Sequence, residues 1–410
     1  MNSRKRKTPN CSDDKPLSTF FSHLECSVPC NAGPADPRES PQRCSCGAPL
    51  LARYDLTAAK RVPRSALTGR EASMWRYREL LPLLQSAKGL DAPITLGEGW
   101  TPLLRARRLG ATLGLKRLYV KDEGRNPTGS LRARGMSAAV TRALHSGAKT
   151  LSAAGAGHAI GAAAAYGARA ALETHIFSSK DARPAFAREA AWHGGVMAEV
   201  QETLSEAERI GALQSAEHGW YNLSALSEPY RVEGKKTIGF ELAEQLGWEL
   251  PDWLICPVAA GTAFIGLAKA TVEMASLRWI DPVRRPHMVA VQAAGCAPIV
   301  RAFGANAETT EPWTAVRTFA DDLRVTDPAG GRLVLRSIRE SSGLALAVGD
   351  VEILRDMKAL SELEGISAAP GGGAALQAVR VLTAEGRIKP HDTVVIINPA
   401  GGFPYLDLAQ

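Results

Sequence analysis

Nowhere in the 410 residues is there an uninterrupted apolar run of about 18, the length a membrane-spanning helix needs. The alanine-rich stretch around 153 to 170 is broken by Gly155, Gly157, His158, Gly161 and Arg169. The chain is therefore expected to be soluble, with no membrane partner. Basic blocks are missing as well. The net charge is +7, but outside the N-terminus the positives are dispersed among acids, as in REASMWRYRE, with no aromatic residues interleaved in a basic cluster. Nucleic acid is not an expected partner. The cysteines form no disulfide framework: of seven, Cys26, Cys30, Cys44 and Cys46 crowd one region, while Cys256 and Cys296 sit in apolar runs. The N-terminus MNSRKRKTPN leads into NCSDDKPLS rather than an apolar segment, so it reads as a tail and not a secretory signal. A cytoplasmic location is expected.

What is present is ample core material. With 45% hydrophobic and 22% charged residues, the chain can bury a large core and divide into two or more domains. From residue 116 onward, short apolar runs alternate with helical segments. KRLYVKDE, KTLSAAG, THIFSS, VMAEV, PDWLICPV, HMVAVQAAG and DTVVIINPAGG read as strands. SLRARGMSAAVTRALHSG, HAIGAAAAYGARAAL, ARPAFAREAAWHGG, AFIGLAKATVEMA, CAPIVRAF and GGAALQAVRVLTAEG read as helices. Strands joined by helices predict an α/β fold with parallel sheets covered on both faces. Such a fold seats its ligand beyond the carboxyl ends of the strands, where the glycine-rich turns lie. In the N-terminal region, LECSVPC and QRCSCG carry a C-x3-C and a C-x-C pair. Four thiolates suit a tetrahedral zinc site, but neither spacing is the usual C-x2-C, and the expectation is a metal-free remnant.

Four longer motifs carry a specific likeness: LGEGWTPLLRARRLG, VKDEGRNPTGS, SEPYRVEGKKTIGFELAEQLGW and GCAPIVRAF. In this order they resemble threonine synthase, of the tryptophan-synthase-beta-like, fold type II group of pyridoxal-phosphate (PLP) enzymes. The likeness runs from about residue 24 to the C-terminus. It implies two parallel-sheet, helix-flanked domains and a homodimer. The expected division is a basic tail over 1–20, a Cys-containing ribbon-like extension over 21–70, a large α/β domain from 71–130 with 223–410, and a small α/β domain over 131–222.

Against that family pattern, the cofactor positions depart. The resemblance places the lysine that binds PLP at Arg132, and a guanidinium, with a pKa above about 12, cannot lose its proton and attack a carbonyl. The family's asparagine beside the PLP ring falls at His158. Its glycine-rich phosphate cradle falls at Ala259, Ala260, Gly261, Thr262 and Ala263, where alanine methyls narrow the loop and cost about 1 kcal/mol wherever a positive φ is needed. Its late Pro-Glu-Gly segment reads Ala369-Pro370-Gly371, without the carboxylate, and its last hydroxyl donor falls at Pro399. Lys121 is the best placed substitute amine. Lys235, Lys236 and Lys269 read as packing or surface lysines.

The expectation drawn from these departures is that no cofactor is used. Arg132 and His158 would then be catalytic, clamping an anion and moving a proton. Lys121, Glu123, Asn126, Thr128, Ser130 and Arg324 would bind a small anionic substrate in an elimination, isomerisation, cyclisation or hydrolysis. Two other readings stand beside it. One is a catalytically silent binding or regulatory partner, whose crevice would be sealed by Arg132, Phe264 and Phe403. The other is a retained PLP-dependent threonine synthase or lyase.

Overall fold

The computed structural model describes residues 19–39, 41–86, 89–180, 182–201 and 204–409. Apart from Thr19 and Phe20, the basic tail expected over 1–20 lies outside the described residues. Two sheets dominate. The larger has six strands in the order Leu344–Val348, His287–Ala293, Trp253–Pro257, Thr393–Asn398, Arg117–Asp122 and Leu103–Arg105. Its first five strands run parallel, and Leu103–Arg105 pairs antiparallel at the edge. Its central strands are continuous apolar runs such as TVVIIN, as burial on both faces requires. The smaller sheet is parallel throughout, in the order Tyr221–Asn222, Thr150–Ala154, Glu173–Ser179 and Val196–Val200.

One helix is central to the position of the functional residues. Tyr230–Gln245 is buried over its first fourteen residues, Tyr230 to Ala243, and packs between Arg132–His145 and Thr262–Ser276. Glycines make the close approach feasible. A Cβ on Gly234 would lie 1.9 Å from the Arg134 carbonyl oxygen, and one on Gly266 would lie 2.8 Å from the Lys236 backbone nitrogen.

Behind this contact sits a buried ionic network. Arg134 donates to both oxygens of Glu123 at 2.6 and 2.8 Å and to both oxygens of Glu241 at 2.5 and 2.7 Å. Lys121 donates to Glu241 and to the Thr101 carbonyl, both at 2.8 Å. Such a network is stable only when every charge is matched, and this one pairs two cations with two carboxylates.

The turn at 126–131 is stitched to the C-terminal loop. Leu131 N–H donates to the Pro399 carbonyl at 2.9 Å, and Gly401 N–H donates to the Gly129 carbonyl at 2.9 Å. Arg132, the first residue of its helix, is thereby fixed against the end of the strand Thr393–Asn398.

Candidate functional site

A crevice opens beyond the carboxyl ends of both sheets. It is lined by Arg132, by Gly155–Ala159 after the strand Thr150–Ala154, by Val258–Ala263 after the strand Trp253–Pro257, and by Pro399 after Thr393–Asn398. Asp321, Asp322 and Arg324 close one side, and Arg231 and Lys235 of the central helix another. The positions at which the resemblance would put a lysine, a ring asparagine, a phosphate cradle and a last hydroxyl donor come to one place: Arg132, His158, Ala259, Ala260, Gly261, Thr262, Ala263 and Pro399.

The loop before the helix Thr262–Ser276 is built on one strained position. Gly261 has φ +95°, and a Cβ there would meet Val334 Cγ2 at 2.7 Å, so only glycine fits. Ala259, Ala260 and Ala263 do not have positive φ, so the conformational cost anticipated for them is not incurred. The helix N-terminus that follows presents N–H groups with no acceptor inside the helix, a seat suited to an anion.

The crevice is open, with a cavity volume of ≈ 130 Å³, room for several waters. Phe264 is buried in its wall, but Phe403 is 76% exposed and does not plug it. Among the described residues no carboxylate lies within 4 Å of the Arg132 guanidinium, although its charge favours the ionised form of nearby Asp322. Its Nη2 reaches only the Asp322 backbone carbonyl, at 3.4 Å, and its buried Nη1 has no partner among the described residues.

His158 is buried against Phe186 with ring centroids 4.7 Å apart, and neither ring nitrogen has a well-aligned hydrogen-bond partner among the described residues, although the Thr128 backbone lies near enough to favour its protonated form. Burial, and then the nearby Arg132 charge, push its pKa down to about 3. The imidazole is therefore neutral at physiological pH. Burial also raises Asp322 to about 6, and its Oδ1 has no such partner while Oδ2 accepts from Gly371 N–H at 3.0 Å.

Several residues expected to bind substrate do other work. Lys121, Glu123 and Asn126 belong to or adjoin the buried network, and none lines the crevice. Asn126 donates to Glu123 and accepts from Gly99 N–H, which holds the turn rather than a ligand. Thr128, at φ +58°, and Ser130, whose hydroxyl accepts from Arg132 N–H at 3.3 Å, shape the turn that aims Arg132. Arg324 does line the crevice and pairs with Asp321 at 3.3 Å.

Lys235, expected to be a packing or surface lysine, instead lines the crevice. Its amine donates to Thr262 Oγ1 at 2.6 Å, beside the anion seat. Lys121, Lys236 and Lys269 all pair with carboxylates, whereas among the described residues Lys235 has none within 4 Å. Burial, reinforced by the Arg231 and Arg132 charges, holds its pKa well below the ordinary lysine value. Among the described residues it is the only lysine lining the crevice. The sequence could not separate Lys235 from Lys236, because the two are neighbours in a helix buried on all sides. The roughly 100° between successive helical residues sends one into the crevice and the other to Glu233 and Glu273.

Comparison with known proteins agrees with this architecture. Residues 94–400 match the family model described as pyridoxal-phosphate dependent enzyme. Threonine synthase of Methanosarcina acetivorans is 34% identical over 92% of this chain and 90% of its own length. That of Methanocaldococcus jannaschii is 34% identical over 89% of each. Among solved structures, maize serine racemase superposes with a TM-score of 0.65 at 22% identity, covering 76% of this chain and 90% of that one. A threonine deaminase from T.th. gives 0.61 at 24%, covering 73% and 92%. At such identities these two show the fold.

The expectation that no cofactor is used is overturned by the family match, and the crevice supports the correction. Gly261 and the helix start behind it suit a phosphate, the unpaired Arg132 nitrogen adds positive charge, and Lys235 supplies a buried amine. Pro399 lines the crevice but brings no N–H donor. The long motifs, the family match and the sheet topology lead to one conclusion: the chain belongs to the pyridoxal-phosphate dependent enzymes and is threonine synthase-like.

Proposed function

We propose that this chain is a PLP-dependent enzyme of lyase or synthase type that acts on a small anionic substrate, with Lys235 in place of Arg132 as the amine that holds the cofactor. The observation that carries the reading is the position of Lys235: a crevice lysine, desolvated, without a carboxylate among the described residues, and 2.6 Å from Thr262 at the anion seat. When bound, PLP supplies an aldehyde conjugated to an electron-withdrawing ring, which stabilises negative charge developing next to an amino group.

The chain's own residues have separable tasks. The helix start at Gly261–Thr262 binds a phosphate. Arg132, with no carboxylate within 4 Å of its guanidinium among the described residues, clamps an anionic group of the substrate. A guanidinium could not take over the amine's task, but it is well suited to this one. The neutral His158 offers one donor and one acceptor to the bound molecule. Because Arg132 helps to depress its pKa, neutralising Arg132 with a substrate anion makes the imidazole a better base. Asp322, raised to about 6, can hold or release a proton near neutrality.

Adding PLP to the purified chain tests the reading. An absorbance band at about 410–420 nm is expected, and it should be lost in Lys235→Met but retained in Arg132→Ala. A band that survives Lys235→Met, or no band with the native chain, contradicts it.

A further inference from the structure

The ribbon ahead of the large sheet brings together side chains that the crevice does not use. Phe21–Cys26 pairs antiparallel with Leu50–Tyr54, and the loop between them is pinned by the mutual backbone bonds of Leu24 and Ala35, at 3.0 and 2.9 Å. Two turns then face each other. The first, Cys26-Ser-Val-Pro-Cys30, is tied down by Ser27 N–H donating to the Pro49 carbonyl at 3.0 Å. The second, Cys44-Ser-Cys46-Gly47, closes through Gly47 N–H to the Cys44 carbonyl at 2.8 Å, with Gly47 at φ +84°.

The four sulfurs that result lie within 4.8 Å of one another, with Cys26–Cys46 at 3.6 Å and Cys30–Cys44 at 3.7 Å. A tetrahedral zinc with Zn–S bonds of about 2.3 Å requires sulfurs about 3.8 Å apart. The unusual spacings compensate each other: the long C-x3-C turn and the short C-x-C turn reach the same centre from opposite sides. Neither turn has the usual C-x2-C spacing, and the four sulfurs meet only because the two turns face each other.

We infer that Cys26, Cys30, Cys44 and Cys46 form a structural zinc site. Four thiolates fill the coordination shell, which leaves no open position for substrate or water, and soft sulfur donors in a tetrahedron select zinc over magnesium or calcium. The site is a staple. Next to the second turn, Gln42 donates to the Asn222 carbonyl and Arg43 to Ser227 Oγ, both at 3.4 Å, so the ribbon grips the segment leading into Tyr230–Gln245. Farther along the ribbon, Tyr54 Oη donates to Glu233 of that same helix at 2.8 Å. The metal thus braces the wall that carries Arg231 and Lys235.

The test is metal analysis of the full-length chain purified without chelators. About one zinc per chain is expected, falling to less than about a tenth in the Cys44→Ser/Cys46→Ser double variant. As a check that does not depend on the variant folding, cobalt(II) exchanged into the native chain should give the intense visible and thiolate charge-transfer bands of a tetrahedral tetrathiolate. Native protein without zinc and without those cobalt bands, or a double variant that keeps its full zinc, overturns the assignment.

Discussion

At the scale of single residues, the crevice is defined by groups left without their usual partners. A buried lysine normally sits on a carboxylate, as Lys121, Lys236 and Lys269 do. Lys235 has none among the described residues, and an unpaired desolvated amine is costly to keep charged. Lys235→Met, which preserves length and removes that cost, should therefore leave the chemical-denaturation midpoint unchanged or raise it while abolishing the PLP band.

His158 gives a prediction with a definite sign. In the unfolded chain it takes up a proton near the ordinary value of about 6.5, whereas in the native protein it resists protonation down to about 3. Native stability therefore falls as pH drops from about 6.5 toward 3. Asp322 and Glu228, raised by burial to about 6 and about 7, act in the opposite direction, so the comparison is between variants. His158→Gln should lose less stability than the native chain between about pH 7.5 and about pH 4.5, read from urea midpoints at the two pH values. Equal losses would remove the buried neutral imidazole from the account.

At the scale of elements, the helices pack through glycines, and the consequences are local. Gly234→Ala drives a methyl into the Arg134 carbonyl and separates the two helices that hold the ionic network. A cost above about 3 kcal/mol is expected, because backbone cannot move aside as a side chain does. A shift of the urea midpoint corresponding to less than about 1 kcal/mol would contradict that packing.

Legibility in the sequence also divides by element. The central strands were readable because burial on both faces makes them plain apolar runs, as in PDWLICPV, which contains the fully buried Trp253–Pro257. The loop and helix-start residues at 132, 158, 259–263 and 399 were readable as a set because the turns after strand ends deliver them to one crevice. The strand Leu344–Val348 and the helices Leu204–His218, Gly331–Glu340 and Asp350–Glu364 were not singled out. Leu344–Val348 is a short, only partly buried strand, and Gly331–Glu340 carries arginines among its apolar residues. Lys121 was misjudged because a strand end pointing toward the crevice does not reveal the Glu241 waiting beneath it.

For the whole molecule, ligand and fold are linked. A molecule that binds only the native state at about 100 times its Kd adds about 2.7 kcal/mol of stability. PLP should therefore raise the melting temperature of the native chain by a few degrees, and Lys235→Met should lose most of that rise. An equal rise in both proteins would mean that the cofactor is held without Lys235. The most direct measurement is to treat the PLP-loaded chain with borohydride, digest it and sequence the modified peptide. A phosphopyridoxyl group on Lys235 is the predicted result. Its appearance on Lys121 or Lys269, or on no lysine at all, would contradict the assignment.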